Sequence, residues 1–412
     1  MNGIFLAFFI SFSALASAPD LPLDLTFEES RAFFKTLRFN KFNKSNDFKD
    51  QFIESSISGG EKMNNWLNLI NQNRSDENIL RLTSKGTQRG IPIEKPSKYG
   101  PSTIKDNLIK LLDKMPFEMK EIIYGNKSIT SSPIISDEDF VKWARVVSYQ
   151  YQTAVRWTGM LPWLGEYSRR ASKDIRGYYY LKNIENLDDY LLNYDSLSIE
   201  EIEKLLSAMV GICINSNNSK KLCEKELRNE LTNKNGLLKL KNKYWQRAVN
   251  TWESFFRISN PRSDITWSRK NPGVLEIPFK EVTDLKVATW LKENVEEEFQ
   301  SIDHNWKLEM SFKSFGFGMA YLEFQKNVTP HVSGGNKVVM DANTALEEYG
   351  VKWTIRHEFG HILRFPDCYH EFYDAEAKLM VNYQLDTTDL MCSRAGQMND
   401  RIYQELKRVY LK

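Results

Sequence analysis

EEYGVKWTIRHEFGHILRFPD, residues 347–367, is the stretch on which the reading of this 412-residue chain turns. Val351, Ile355, Phe359 and Ile362 recur at spacings of three and four, which predicts a helix with one buried face. That helix carries His357-Glu358-Phe359-Gly360-His361, an HExxH pattern. Residues four apart stack on one helix face, so both imidazoles can reach a single metal ion. Glu358 stands beside them, where its carboxylate can hold a water without ligating the metal. The chain has only five histidines, His304, His331, His357, His361 and His370. All lie beyond residue 300, so any histidine chemistry belongs to the C-terminal part.

A catalytic zinc takes three protein ligands and keeps one position open for water. Extending the motif gives HEFGHILRFPD, in which Asp367 follows Phe365-Pro366, a natural helix stop. His370 and Asp374 are rival third ligands a few residues on, and Glu371 or Glu376 would suit a gluzincin-like arrangement.

On these residues the C-terminal part, about 273–412, resembles the metzincin clan of metallopeptidases, in the branch with an Asp as third ligand. The resemblance implies His357, His361 and Asp367 as zinc ligands and Glu358 as general base. It also implies a Met-containing turn beneath the metal, which TTDLMCS (387–393) supplies with Met391. Arg364 stands where the clan has a glycine that ends the helix in a left-handed conformation, at a cost to a non-glycine residue of about 1–2 kcal/mol. The clan's order of strand, backing helix, strands with a substrate-pairing edge, then motif helix is expected here too, with the edge near Lys337 to Asp341. In such sites a tyrosine often holds the oxyanion, and Tyr369, Tyr373 and Tyr383 are near enough in sequence to do so.

Four cysteines suit an oxidising compartment. Local pairing gives Cys213–Cys223 and Cys368–Cys392, and the second pair would tie the loop after Asp367 to the turn at Met391. A loop of that size gains about 3 kcal/mol from the entropy of the unfolded chain. The competing reading makes a reduced Cys368 or Cys392 a metal ligand.

Outward from the motif, the pattern predicts an α+β chain: a mainly α-helical N-terminal domain, then a metzincin-like mixed-sheet catalytic domain. FEESRAFFKTL, EKMNNWLNLI, TIKDNLIKLLDKM, EDFVKWARVVSYQYQTAVRW, IEEIEKLLSAMVGI and NKYWQRAVNTWESFF all have helical periodicity. SNPRSDITWSRKNPG (259–273) reads as a linker. Beyond it VLEIPF, KLEMSF, MAYLEF and KVVMD are strand candidates, with a helix over Asp284 to Phe299. The aromatic concentration from Trp143 to Tyr180 reads as packing rather than a stacking groove. The expected divisions are 1–16, a signal peptide; 17–258, a helical pro-segment or docking domain; 259–272, the linker; and 273–412, a zinc metallopeptidase domain.

Charge is nearly balanced, 56 Lys plus Arg against 54 Asp plus Glu, so no global field attracts nucleic acid or an anionic membrane. The apolar run Ile4 to Ile10 fades into small residues, as in a secretory signal, with a cut expected after Ala16. The run is shorter than the roughly 20 residues that span a bilayer, so no stable membrane anchor is expected. The function expected from sequence is a secreted or periplasmic endopeptidase that uses one catalytic Zn2+ on a protein or peptide substrate. The alternatives are a non-catalytic zinc-containing binding or structural protein, which would have no use for Glu358, and a metal-dependent amidase acting on cell-wall peptides.

Overall fold

A computed structural model describes residues 47–83, 90–316, 318–325, 328–342 and 345–411. The expected signal segment 1–16 and the helix FEESRAFFKTL lie outside the described residues. The chain is a mixture of helices and small sheets, an α+β arrangement at the coarse level. Among the described residues, no helix is long and apolar enough to cross a membrane.

The N-terminal part carries helices α1 (Asp47–Asn71), α2 (Pro101–Lys114), α3 (Phe117–Ile123), α4 (Asp137–Met160), α5 (Leu164–Arg170), α6 (Arg176–Lys182), α7 (Leu187–Leu192), α8 (Ile199–Ile214), α9 (Lys220–Glu230) and α10 (Gly236–Glu253). The longer ones contain the helical segments expected from periodicity. Met63, Trp66 and Phe140 anchor a core between α1 and α4, and Leu205, Met209 and Ile212 of α8 pack with Leu237 and Leu240 of α10 in another. Trp157 and Tyr178, from the aromatic-rich stretch, are buried as packing residues. Cys213 and Cys223 are bonded and join α8 to α9.

One strand, β1 (Ser97–Tyr99), interrupts the helices. It pairs antiparallel with a strand near the far end of the chain, so the N-terminal part shares a sheet with the C-terminal part.

The segment 259–272, expected as a linker, is mostly exposed but not without structure. It carries β2 (Thr266–Trp267), paired with β3 (Val274–Lys280), and buries Ile265 and Arg262. The Arg262 guanidinium pairs with Asp264 at 2.6 Å and donates to the carbonyl of Gly318.

From β3 the chain crosses over α11 (Leu285–Glu298), passes β4 (Gln300–Ser301) and returns in β5 (Trp306–Lys313), parallel to β3. Leu291, Val295 and Phe299 are fully buried, as the expected helix face requires. Next come β6 (Tyr321–Gln325), β7 (His331–Ser333) and β8 (Lys337–Asp341), in the sheet order β6-β8-β7. Phe279 of β3 bridges Ala320 just before β6, which brings the two sheets edge to edge.

The expected position of the sheet edge needs correcting. Lys337 to Val339 is flanked on both sides, parallel to β6 and antiparallel to β7, while Met340 and Asp341 pair with β6 alone, so along the first three residues the edge is β7. The cause is a hairpin at Gly334-Gly335, both at positive φ (60° and 74°), which turns three residues into a strand.

The motif helix α12 (Tyr349–Ile362) follows and buries the expected stripe, Val351, Ile355, Phe359 and Ile362. Phe359 stacks on Phe279 and tilts against Phe299, fixing the helix on the sheet. Three further elements, not expected from sequence, complete the chain: the hairpin β9 (Tyr369–Asp374) and β10 (Leu379–Gln384), and α13 (Asp400–Tyr410). β10 is the partner of β1, with Ser97 opposite Asn382.

Candidate metal centre

Both ends of α12 are held by specific contacts. At its start, Thr83 from the N-terminal part accepts a hydrogen bond from the Gly350 amide (2.9 Å) and donates one to Glu348 (2.9 Å). An otherwise unpaired helix amide is thereby satisfied from a distant segment. At its end, Arg364 N donates to His361 O and Phe365 N to Gly360 O, the two bonds of a Schellman motif. Arg364 takes the left-handed conformation this motif needs, φ 71°, although it is not glycine. Its guanidinium lies against Gly335 in the β7–β8 turn, where a Cβ would stand 2.1 Å from it.

This turn aims Asp367 back at the helix. Its Oδ1 lies 3.2 Å from His357 Nε2 and 3.1 Å from His361 Nε2. Each imidazole spends its other nitrogen on a backbone carbonyl: His357 Nδ1 on Leu390 O and His361 Nδ1 on Phe365 O, both at 2.8 Å. A carbonyl can only accept, so both rings carry their proton on Nδ1 and turn an Nε2 lone pair toward the carboxylate. With Nδ1 so occupied, each Nε2 is the nitrogen available to a metal, and the three ligand atoms converge on one point. Bonds of about 2.0–2.2 Å put neighbouring ligand atoms of a tetrahedral zinc roughly 3.3–3.6 Å apart, close to the spacing seen. The donor set therefore fits a zinc ion. Among the described residues, no fourth His, Cys, Asp or Glu joins this cluster.

Met391 lies under the motif helix. A Cβ on Gly360 would stand 2.1 Å from its Sδ, so the glycine in HEFGH is what admits the thioether. The turn is organised by Asp389, which is 1 % exposed. Its carboxylate accepts from the Met391 amide (2.7 Å), Asn399 (2.6 Å) and Arg401 (2.8 Å). Cys368, next to Asp367, is bonded to Cys392, next to Met391, and its amide donates to Met391 O. Ligand loop and Met391 turn are thus joined by a covalent bond and a hydrogen bond. With both sulfurs in that bond, neither cysteine is a metal ligand in this structure.

The other candidates are elsewhere. His370 points to the opposite face of β9, among Phe255, Phe372 and Tyr383. Burial there lowers its pKa to about 4, with Asp174 opposing the shift and Arg170 and Lys173 adding to it. Glu371 pairs with Arg156, Asp374 caps the β9–β10 turn, and exposed Glu376 pairs with Lys220. Tyr383 donates to Asp174 at 2.8 Å, on the same side as His370. Tyr373 packs against Trp157. Tyr369 is different: its ring stacks on that of His357 at 6.2 Å, and its phenol is within electrostatic reach of Asp367 and Glu358. Burial and these carboxylates push its pKa up, so it remains a proton donor.

Two arginines that the sequence reading did not single out complete the surroundings. Arg156 of α4 lies over the Tyr369 ring, 5.8 Å from its centroid, and is bonded to Glu371 at 2.7 Å. Tyr99 of β1 donates to the same Glu371. Arg394, three residues past Met391, is exposed and within electrostatic reach of Glu358, Tyr369 and Asp367. Their roles come from tertiary neighbours, and nothing in the local sequence marks them. Glu358 itself is 4 % exposed.

No known protein family matches the chain, and no curated protein or solved structure matches it either.

Proposed function

We propose that this chain is an exported, zinc-dependent endopeptidase of metzincin-like design, with its site at His357, His361, Asp367 and Glu358. The observation that carries the reading is the convergence of His357 Nε2, His361 Nε2 and Asp367 Oδ1 while both Nδ1 protons are spent on carbonyls. Supporting it are the thioether of Met391 beneath the helix and the Schellman exit at Arg364. The early apolar run and the two cysteine pairs at disulfide distance support export.

A zinc ion on the two histidines and the aspartate would supply Lewis acidity toward a scissile carbonyl and toward water. The remaining work falls to the chain's own groups. Glu358 takes the proton of the attacking water and delivers it to the departing amine. The Tyr369 phenol, kept protonated, donates to the oxygen that gains charge in the transition state. Arg156 lies over that tyrosine from the N-terminal part, which supports reading the helical region as a lasting part of the site rather than a detachable cover. A substrate strand aligned on the free edge of β7 would be held through main-chain hydrogen bonds.

The test is metal analysis of purified wild type and Glu358→Ala, with casein and peptide-library cleavage run on both. The expected result is one zinc per chain in each and cleavage only by wild type. Zinc without cleavage in either protein would leave a metal-binding protein, and cleavage confined to cell-wall peptides would leave an amidase.

A further inference from the structure

Arg394 differs from Arg156, the other cation near the site described above, which is paired with Glu371. It belongs to the Met391 turn, two residues beyond Cys392, whose Cα is 4.2 Å from that of Cys368. Its backbone is thus tied to the loop carrying Asp367 and Tyr369. Ser393 beside it is buried and accepts from the Gly90 amide, so the base of the side chain is fixed while its head is exposed. Among the described residues Arg394 makes no hydrogen bond or ion pair, although Glu358, Asp367 and Tyr369 are within its electrostatic reach.

The charge around the site shows what is left over. A dication held by His357 and His361 would be balanced by Asp367 and Glu358. Arg156 is balanced by Glu371, at 2.7 Å. Among the described residues Arg394 is left without an anionic partner, and it is exposed, so a charge-assisted contact is open to it. Its planar fork of donors matches a carboxylate in bidentate fashion.

We infer that Arg394 selects the substrate by binding a carboxylate close to the scissile peptide bond, an Asp or Glu side chain or a free C-terminus. This rests on the peptidase reading and names the class of peptide the site accepts. Arg394 is a specificity-determining residue in this role; Glu358 and Tyr369 act on the reacting atoms.

The test uses full-length, zinc-loaded protein and quenched-fluorescence peptides of one parent sequence. Each flanking position carries Glu, Gln or Lys in turn, with the C-terminus free or amidated. Wild type is expected to prefer the carboxylate by about 10- to 100-fold, the range of a hydrogen-bonded charge pair. Preference for Glu identifies the side chain as the source, and preference for the free acid identifies the terminus. In Arg394→Ala the ratio is expected to fall to within about twofold of unity, Arg394→Lys to restore part of it, and Arg394→Glu to shift preference to Lys.

Fluorescence anisotropy of the same peptides, dye-labelled, on Glu358→Gln gives a second readout that needs no turnover. Carboxylate-dependent binding lost in Glu358→Gln/Arg394→Ala is expected. The inference is overturned if wild type cleaves without carboxylate preference, or if Arg394→Ala slows all peptides equally and keeps the ratio. If wild type cleaves nothing yet carboxylate binding depends on Arg394, the peptidase reading falls and the role of Arg394 stands.

Discussion

Gly360 lies directly over the thioether of Met391, with 2.1 Å between the place a Cβ would occupy and Sδ. The second x of HExxH is therefore fixed by packing and not by the metal. Gly360→Ala gains about 1 kcal/mol of helix propensity but overfills this contact, at a cost of about 1–3 kcal/mol. A net loss of stability is expected in urea denaturation. Adding Met391→Ala, which frees the space, should make the pair less destabilising than the sum of the two changes by about 1 kcal/mol. Strict additivity would mean that the two residues do not meet.

Arg364 holds a positive φ of 71° with no glycine to make it easy. Arg364→Gly relieves about 1–2 kcal/mol of strain, offset by roughly 0.5–1 kcal/mol of added freedom in the unfolded chain and by lost packing on Gly335. The expected change is between zero and about 1 kcal/mol of stabilisation. Arg364→Val, branched at the strained position, should lose more than about 1 kcal/mol. Equal midpoints for the two variants in chemical denaturation would contradict the Schellman assignment.

The sequence disclosed α12 because everything that defines it is local. The stripe from Val351 to Ile362 repeats with the helix, and the two histidines sit one turn apart. Asp367 is ten residues from His357, still within reach of a single turn of chain. The strand at Ser97–Tyr99 left no such trace. It is three residues long, and its partner is at the other end of the protein, so no local pattern announces it. β7 had a signal, the Gly334-Gly335 pair, but its own three residues are too few to alternate visibly. Arg156 and Glu371 are 215 residues apart, and their pairing is a property of the packed fold. Charge alone could not have drawn attention to Arg394, because the chain has 56 lysines and arginines and many of them are exposed.

Metal content distinguishes the two histidine-rich readings of the loop. Asp367 meets both imidazoles, whereas His370 is on the far side of β9. Asp367→Ala should weaken zinc binding by more than the roughly 10- to 100-fold that loss of an orienting partner costs. His370→Ala should retain one zinc per chain while lowering the melting temperature. Loss of zinc from the His370 variant alone would reverse the ligand assignment.

Acid sensitivity follows from the same histidine. His370 is neutral in the fold, its pKa lowered to about 4 chiefly by burial, against an ordinary value near 6.5 once unfolded. Between those values the unfolded chain binds a proton that the folded chain refuses, so stability falls as pH drops from about 6.5 to about 4 and levels off below. The full effect is about 3 kcal/mol. Asp174 faces the ring and tempers the loss, while Arg170 and Lys173 increase it. His370→Phe, which suits the aromatic surroundings, should flatten that part of the stability profile measured by denaturant titration. An unchanged slope would assign acid sensitivity to other groups.

The pairing of Ser97 with Asn382 spans 285 residues. Thr83, Tyr99 and Arg156 leave the ribosome long before the helix and loop they come to hold. None of them can engage until the C-terminal residues have followed, and contacts so far apart in sequence form late in folding. During synthesis the chain therefore carries the pieces of the His357–His361–Asp367 cluster before the contacts from Thr83, Tyr99 and Arg156 that surround it can form.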